Sequence, residues 1–206
     1  PALAHKVNVS AVGELARLAA HYGIRLVHIS SNQVFDGSRG GWCENDEALP
    51  VNTYGESKLQ GEQEVAGNCP GAVILRPCLI IGVPPSGGPC PVSGIINALD
   101  KGKTLKMFTD EIRSPIAAPD IARAAVILAE KMEIVGTLHC GGPEDLTRHE
   151  FALRLAEAVG HDAELIDSAT REEMGMGKGR PADLSLDSSR LAKILGWSPR
   201  PLSVPL

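Results

Sequence analysis

The chain has 206 residues, 43% of them hydrophobic, with a formal charge of −5 and an isoelectric point near 5.7. Such a length supports one sizeable core plus a small appendage, and an acidic balance with no Lys/Arg run argues against a nucleic-acid surface. Cys43, Cys69, Cys78, Cys90 and Cys140 are odd in number and include no C-x-x-C pair. They suit reduced thiols in the cytoplasm better than a disulfide frame or zinc site, and no apolar run approaches membrane-spanning length.

Near the N-terminus, Val12, Leu15, Leu18 and Ala19 recur at helical spacing and predict an amphipathic helix, with Asn8 placed to cap it. Residues 24–29 form a short β-branched run after Gly23, expected to be a strand buried in a sheet. The run ends in Ser30-Ser31-Asn32-Gln33, small polar residues of the kind found where an open α/β sheet presents its carboxyl edge to ligands. A polar loop over 36–50 leads to a helix carrying Tyr54 and Lys58. Residues four apart share a helix face, and an ammonium beside a phenol favours the phenolate, so this pair can move a proton near neutrality. Residues 72–75 (Ala-Val-Ile-Leu) predict a second buried strand. With strands in parallel, Ser31 at one strand tip meets the Tyr54/Lys58 face of the following helix.

Beyond Gly82 a Pro/Gly-rich loop over 83–91 precedes a helix from 95 to about 101 and a strand over Leu105–Phe108. Arg113 follows, an arginine suited to a diphosphate, then a helix over 120–131 with Asp120 as its cap. A helix over Arg148–Val159 is announced by Thr147 and Glu150, spaced as a capping box. A short strand is expected over 163–167. The run Gly175-Met176-Gly177-Lys178-Gly179 lacks both a preceding strand and a Ser/Thr after the lysine, so it reads as a loop rather than a phosphate cradle. An extended stretch over 180–183, beginning at Arg180, and a short helix within 187–196 close the chain. The six histidines have no metal spacing, and Trp42 reads as a loop-packing residue.

Val27-His28-Ile29-Ser30-Ser31-Asn32-Gln33-Val34-Phe35-Asp36-Gly37, Tyr54-Gly55-Glu56-Ser57-Lys58-Leu59-Gln60-Gly61-Glu62 and Leu75-Arg76-Pro77 stand in order along the chain. They resemble the extended short-chain dehydrogenase/reductases, and within them the dTDP-4-dehydrorhamnose reductases and their relative, the regulatory β subunit of methionine adenosyltransferase. The resemblance continues through Arg113-Ser114-Pro115, Gly136-Thr137-Leu138-His139 and Arg180-Pro181. It implies a Rossmann-like, doubly wound parallel sheet with a small C-terminal substrate domain, divided as residues 1–82 and 83–206. The activity it implies is NADP- or NAD-dependent reduction of a nucleotide-linked 4-keto sugar. Ser31 would bond the substrate carbonyl, Tyr54 deliver the proton, and Lys58 hold the nicotinamide ribose. Ser30, Arg76 and Pro77 would border the cofactor; Asn32, Arg113 and Arg180 would meet the substrate; Asn8 would support the site from the preceding helix. The alternative is a non-catalytic regulatory or scaffold subunit of the same fold.

Two departures from the family pattern stand out. The reductases usually carry Thr-Asp-Tyr where this chain has Ser31-Asn32-Gln33, which keeps the hydroxyl and loses a carboxylate and a ring. No Gly-x-Gly-x-x-Gly turn follows a strand and opens a helix. By the family layout roughly two βα units and a third strand would precede Pro1. The chain is therefore expected to be N-terminally truncated, with weak cofactor affinity, marginal stability, and self-association or homodimer formation through an exposed sheet edge.

Overall fold

The computed structural model describes residues 2–82, 88 and 90–202. In chain order it runs α1 (Ala2–His5), a wide π-helical stretch (Lys6–Ala11), α2 (Val12–His21), β1 (Val27–Ile29), α3 (Thr53–Asn68), β2 (Val73–Pro77) and β3 (Ile80–Ile81). Then come α4 (Pro91–Leu99), β4 (Leu105–Phe108), β5 (Ile112–Arg113), β6 (Ile116–Ala117), α5 (Ala118–Glu130) and β7 (Gly136–Cys140). The last elements are β8 (Leu146–Thr147), α6 (Arg148–Val159), β9 (Ile166–Ala169) and α7 (Ser189–Leu195).

β1, β2 and β7 form a parallel sheet in that order, with Val27 beside Val73 and Leu75 beside Leu138. β2 is the middle strand and all five of its residues are buried, as expected of a strand covered on both faces. One face packs Val73, Leu75 and Leu138 against Ile121, Ala124 and Leu128 of α5 and Leu191 of α7. The other places Ile74 against Ala16, Ala19 and Val65 of α2 and α3. Helices on both faces of a parallel sheet make this a Rossmann-like α/β fold. A second core joins Val92, Ile95 and Leu99 of α4 to Phe151 and Leu155 of α6 and Ile166 of β9. Three strand pairs, β3–β6, β4–β9 and β5–β8, complete the framework.

Several boundaries differ from expectation. The first strand holds only Val27–Ile29, because Gly23 takes a left-handed turn (φ 65°) and the Ile24 amide still bonds the Ala19 carbonyl at 2.8 Å. Ile24 is consequently 60% exposed. The buried stripe of α2 is Gly13, Ala16 and Ala19, with Leu15 turned to solvent, since small residues let α2 lie close on α3. Asn8 sits inside the π-helical stretch and not at a helix start. Asp120 lies within the first turn of α5, where its buried carboxylate takes Arg200 instead of capping the helix. The strand expected over 163–167 is a 3-10 turn over Ala163–Leu165 followed by β9. Most of the Pro/Gly loop over 83–91 lies outside the described residues, and α4 opens at Pro91, ahead of its expected start. The capping box of α6 forms as its sequence implies, with the Thr147 hydroxyl accepting from the Glu150 amide and Glu150 returning the bond. All five cysteines are free thiols.

Candidate active site

The parallel order of β1 and β2 brings the polar tip of β1 to the first turns of α3. Asn52 caps that helix by accepting the Gly55 amide on Oδ1 at 2.9 Å. Tyr54 stands in the opening turn, 51% exposed. Lys58, one turn on, is buried to 8%, and its Nζ donates to the Ile29 carbonyl at the end of β1 at 2.7 Å. Burial pushes the lysine below its ordinary pKa, and Glu62, a turn further along α3, partly offsets that. Ser31 is buried at the tip of β1, where its Oγ accepts the Gln33 amide at 3.2 Å, and it does not line the cleft onto which Tyr54 opens. Asn8 reaches across from the π-helical stretch to donate to Ser57 Oγ at 3.0 Å, one residue before Lys58.

Below this tip lies a buried polar row. Ser30 Oγ donates to Glu62 Oε1, and the Arg76 guanidinium grips the same carboxylate through Nε at 2.9 Å and Nη2 at 2.6 Å. Ser30 and Arg76, expected beside a cofactor, thus turn to Glu62, with Arg76 Nη1 buried and without a partner among the described residues, and Pro77 is buried at the end of β2. Asn32, expected at the substrate, is also turned inward. Its amide donates to Cys78 Sγ at 2.9 Å and to the Leu184 carbonyl at 3.0 Å, and burial lifts the Cys78 thiol to about 11. Trp42 is buried too, stacked on Phe35 with ring centroids 4.5 Å apart.

Tyr54 opens onto a cleft of about 520 Å³ whose lining includes Gln33, Asn52, Glu111, Arg113 and Arg180. The two arginines expected at the substrate therefore line the same cleft as the tyrosine. Both are organised by Glu111, a 4% exposed carboxylate that pairs with Arg180 Nε, Arg113 Nη2 at 3.4 Å and Arg148 Nε at 3.9 Å. One carboxylate facing three guanidinium groups leaves a positive wall. Arg113 is largely committed, with Nη1 and Nη2 donating to the carbonyls of Ile112, Ala182 and Pro181. Burial lowers its pKa, and Glu111 counters the shift. Arg180 rests on the Phe108 ring, its guanidinium carbon 4.6 Å from the centroid, which leaves its outer nitrogens toward the cleft without a partner among the described residues. Among the described residues no group of His, Cys, Asp and Glu is arranged to hold a metal ion.

The family model for the RmlD substrate binding domain matches residues 1–204. The chain belongs to this family. RmlD-domain relatives include the "Probable low-salt glycan biosynthesis reductase Agl14" of Haloferax volcanii, 32% identical over 203 residues, covering 96% of this chain and 67% of the relative. The methionine adenosyltransferase 2 subunit beta of Danio rerio is 32% identical over 200 residues, 95% of this chain and 61% of that protein. Among solved structures, a dTDP-4-dehydrorhamnose reductase from Clostridium acetobutylicum matches with a TM-score of 0.86 and 28% identity, over 95% of this chain and 68% of that one. The Bacillus anthracis dTDP-4-dehydrorhamnose reductase in complex with NADP gives a TM-score of 0.85 and 25% identity, over 97% and 69%. The chain thus spans about two thirds or less of the length of the proteins it matches.

In this RmlD-domain member, three residues matter that the sequence does not offer as site candidates: Gln33 enters only as a departure from the family's Thr-Asp-Tyr, Glu62 only within a family motif, and Glu111 not at all. Gln33 reaches the cleft because the turn after β1 carries it past the buried Asn32. Glu111 organises the arginine wall, and Glu62 ties α3 to the tips of β1 and β2. The spacing of Glu62 four residues after Lys58 is a further signal.

Proposed function

We propose that the chain is the substrate-binding and proton-transfer part of a reductase acting on a nucleotide-linked 4-keto sugar, of the dTDP-4-dehydrorhamnose reductase kind. The observation that carries this reading is the cleft that Tyr54 lines together with Arg113 and Arg180. A phenol suits proton delivery to a carbonyl oxygen, and the guanidinium groups suit a diphosphate. Arg180 makes the diphosphate contact, while Arg113 holds in place the backbone that carries it. Ser31 and Tyr54 share the substrate carbonyl, and Lys58 sets the tyrosine's field from below.

NADP or NAD supplies the hydride when bound. The fit to such a cofactor rests on the Tyr54 hydroxyl and the two Lys58 protons left over from the Ile29 bond, all without partners among the described residues. These would meet the nicotinamide ribose. Ser30 and Arg76 stay with Glu62 and support the strand tips from beneath.

The test is a hydride-transfer assay with dTDP-4-dehydrorhamnose and NADPH or NADH, on the 206-residue chain and on a version extended by the sequence encoded upstream of Pro1. Turnover in the extended form should drop by about 100-fold or more in Tyr54→Phe. Unchanged turnover in that variant would sink the assignment. A second reading is favoured by relatives named methionine adenosyltransferase 2 subunit beta, up to 34% identical: a regulatory subunit that keeps the fold without turnover. Co-purification of the extended chain with a methionine adenosyltransferase catalytic subunit, with no hydride transfer, supports that reading.

A further inference from the structure

We propose that Gln33 is the specificity-determining residue of the cleft, its carboxamide NH2 donating to an acceptor oxygen of the bound sugar. The inference rests on the nucleotide-sugar reading above and adds a residue and a hydrogen-bond polarity to it. An amide's two ends differ only by what surrounds them, so the orientation must come from the network. Here the network is determinate. The Asn52 oxygen is fixed by its role as cap, since only an acceptor can take the Gly55 amide at 2.9 Å. Asn52 Nδ2 is then the end that faces Gln33, and it donates to Gln33 Oε1 at 3.1 Å and to the Gly179 carbonyl at 3.4 Å. Gln33 Oε1 is consumed, and Nε2 has no partner among the described residues although Gln33 lines the cleft with Tyr54. The backbone beneath is equally constrained: Gln33 N donates to Ser31 Oγ, and Gly55 is a glycine where a Cβ would collide with the Gln33 carbonyl. A side chain set this firmly presents two donors and no acceptor. It selects a ligand that offers a hydroxyl or carbonyl oxygen there and disfavours one that offers only a donor or a methyl group.

The polarity can be reversed without touching Gln33. Asn52→Asp keeps an oxygen for the Gly55 amide, so α3 stays capped, but replaces the donor facing Gln33 by an acceptor. Gln33 must then turn its NH2 toward residue 52 and show its oxygen to the cleft. The probes are dTDP-L-rhamnose and the methyl ester of thymidine diphosphate, both dianions, titrated calorimetrically, and the quantity read is the ratio of their affinities, which cancels the charge that Asp brings to both. Gln33→Leu should lower the ratio about fivefold, the weight of one neutral hydrogen bond; Asn52→Asp should lower it less, because a sugar hydroxyl can donate to the reversed amide, and in the Gln33→Leu background Asn52→Asp should change it no further. An unchanged ratio in Gln33→Leu, or an effect of Asn52→Asp that persists in the Gln33→Leu background, overturns the Gln33 assignment while leaving the nucleotide-sugar reading in place. Failure of the unaltered chain to bind either probe overturns that reading and the assignment with it.

Discussion

Glu62 receives three hydrogen bonds on a carboxylate that is 4% exposed, from Ser30 and from Nε and Nη2 of Arg76. Removing one partner of a buried pair leaves an uncompensated charge, so Glu62→Gln should cost about 3–5 kcal/mol in urea unfolding. The double variant Glu62→Leu/Arg76→Met should lose less than the two single losses combined. His28 makes a separate prediction about pH. Burial, with Lys58 adding to it, holds the imidazole at about 4 in place of 6.5. The unfolded chain therefore takes up a proton between pH 6.5 and 4 that the folded chain refuses, and stability falls as pH drops through that window. His139, also lowered mainly by burial, acts in the same direction. Unfolding midpoints across the range should show the loss, and His28→Gln should reduce its slope. Residues of this kind are only partly legible in a sequence. Tyr54, Lys58, Arg113 and Arg180 stand out because their types suggest chemistry wherever they sit. Gln33 shows only as a departure from the family's tyrosine, because its orientation is set by a helix cap 19 residues later. Asn32 misleads for the converse reason: a polar residue at a strand tip can face either way, and the Leu184 carbonyl claims it from the far end of the chain.

At the scale of elements, α3 is held close to its neighbours by glycines. A Cβ at Gly61 would strike the Asn8 carbonyl, a backbone atom that cannot swing aside. Gly61→Ala should lower stability by about 1–3 kcal/mol and weaken the Asn8–Ser57 bond, which a loss of helix contacts in amide-proton spectra would reveal. Thr147→Ala should remove the capping box of α6 and cost about 1 kcal/mol in thermal unfolding, with the cleft unaffected. The elements best read from sequence carry their own local signals. α6 begins and ends as its capping box and periodicity imply, and β4 matches its apolar run. β1 is shorter than its β-branched run because hydrogen bonds from the end of α2 hold Ile24 in the turn. Asp120 fails as a cap because Arg200, 80 residues on, competes for its carboxylate.

At the scale of the molecule, distant segments meet repeatedly. β2 pairs with β7 across a gap of some sixty residues, and Val34, Phe35 and Cys78 share a core with Leu184 and Leu186. The site's two halves, the strand tip with α3 and the arginine wall, depend on that closure. Among the described residues β1 ends the three-stranded sheet with one edge unpaired, and Leu3, Val7, Leu15 and Tyr22 are exposed on the N-terminal helices and turn. The 206-residue chain by itself should therefore self-associate with rising concentration in sedimentation velocity, and the upstream-extended form should do so less. Equal association of both would remove the edge from the explanation.

The π-helical stretch over Lys6–Ala11 has a consequence of a different sort. A wide turn of this kind is what one surplus residue leaves behind in an otherwise regular helix. Deleting a single residue there would restore an even spiral and rotate everything ahead of it by about 100°. The Asn8 amide would swing off Ser57, and its carbonyl off the notch left by Gly61. The irregularity is thus a phase adjuster: it lets one rod meet α2's packing and the site's needs at once, and a shortened gene would lose the second while keeping the first.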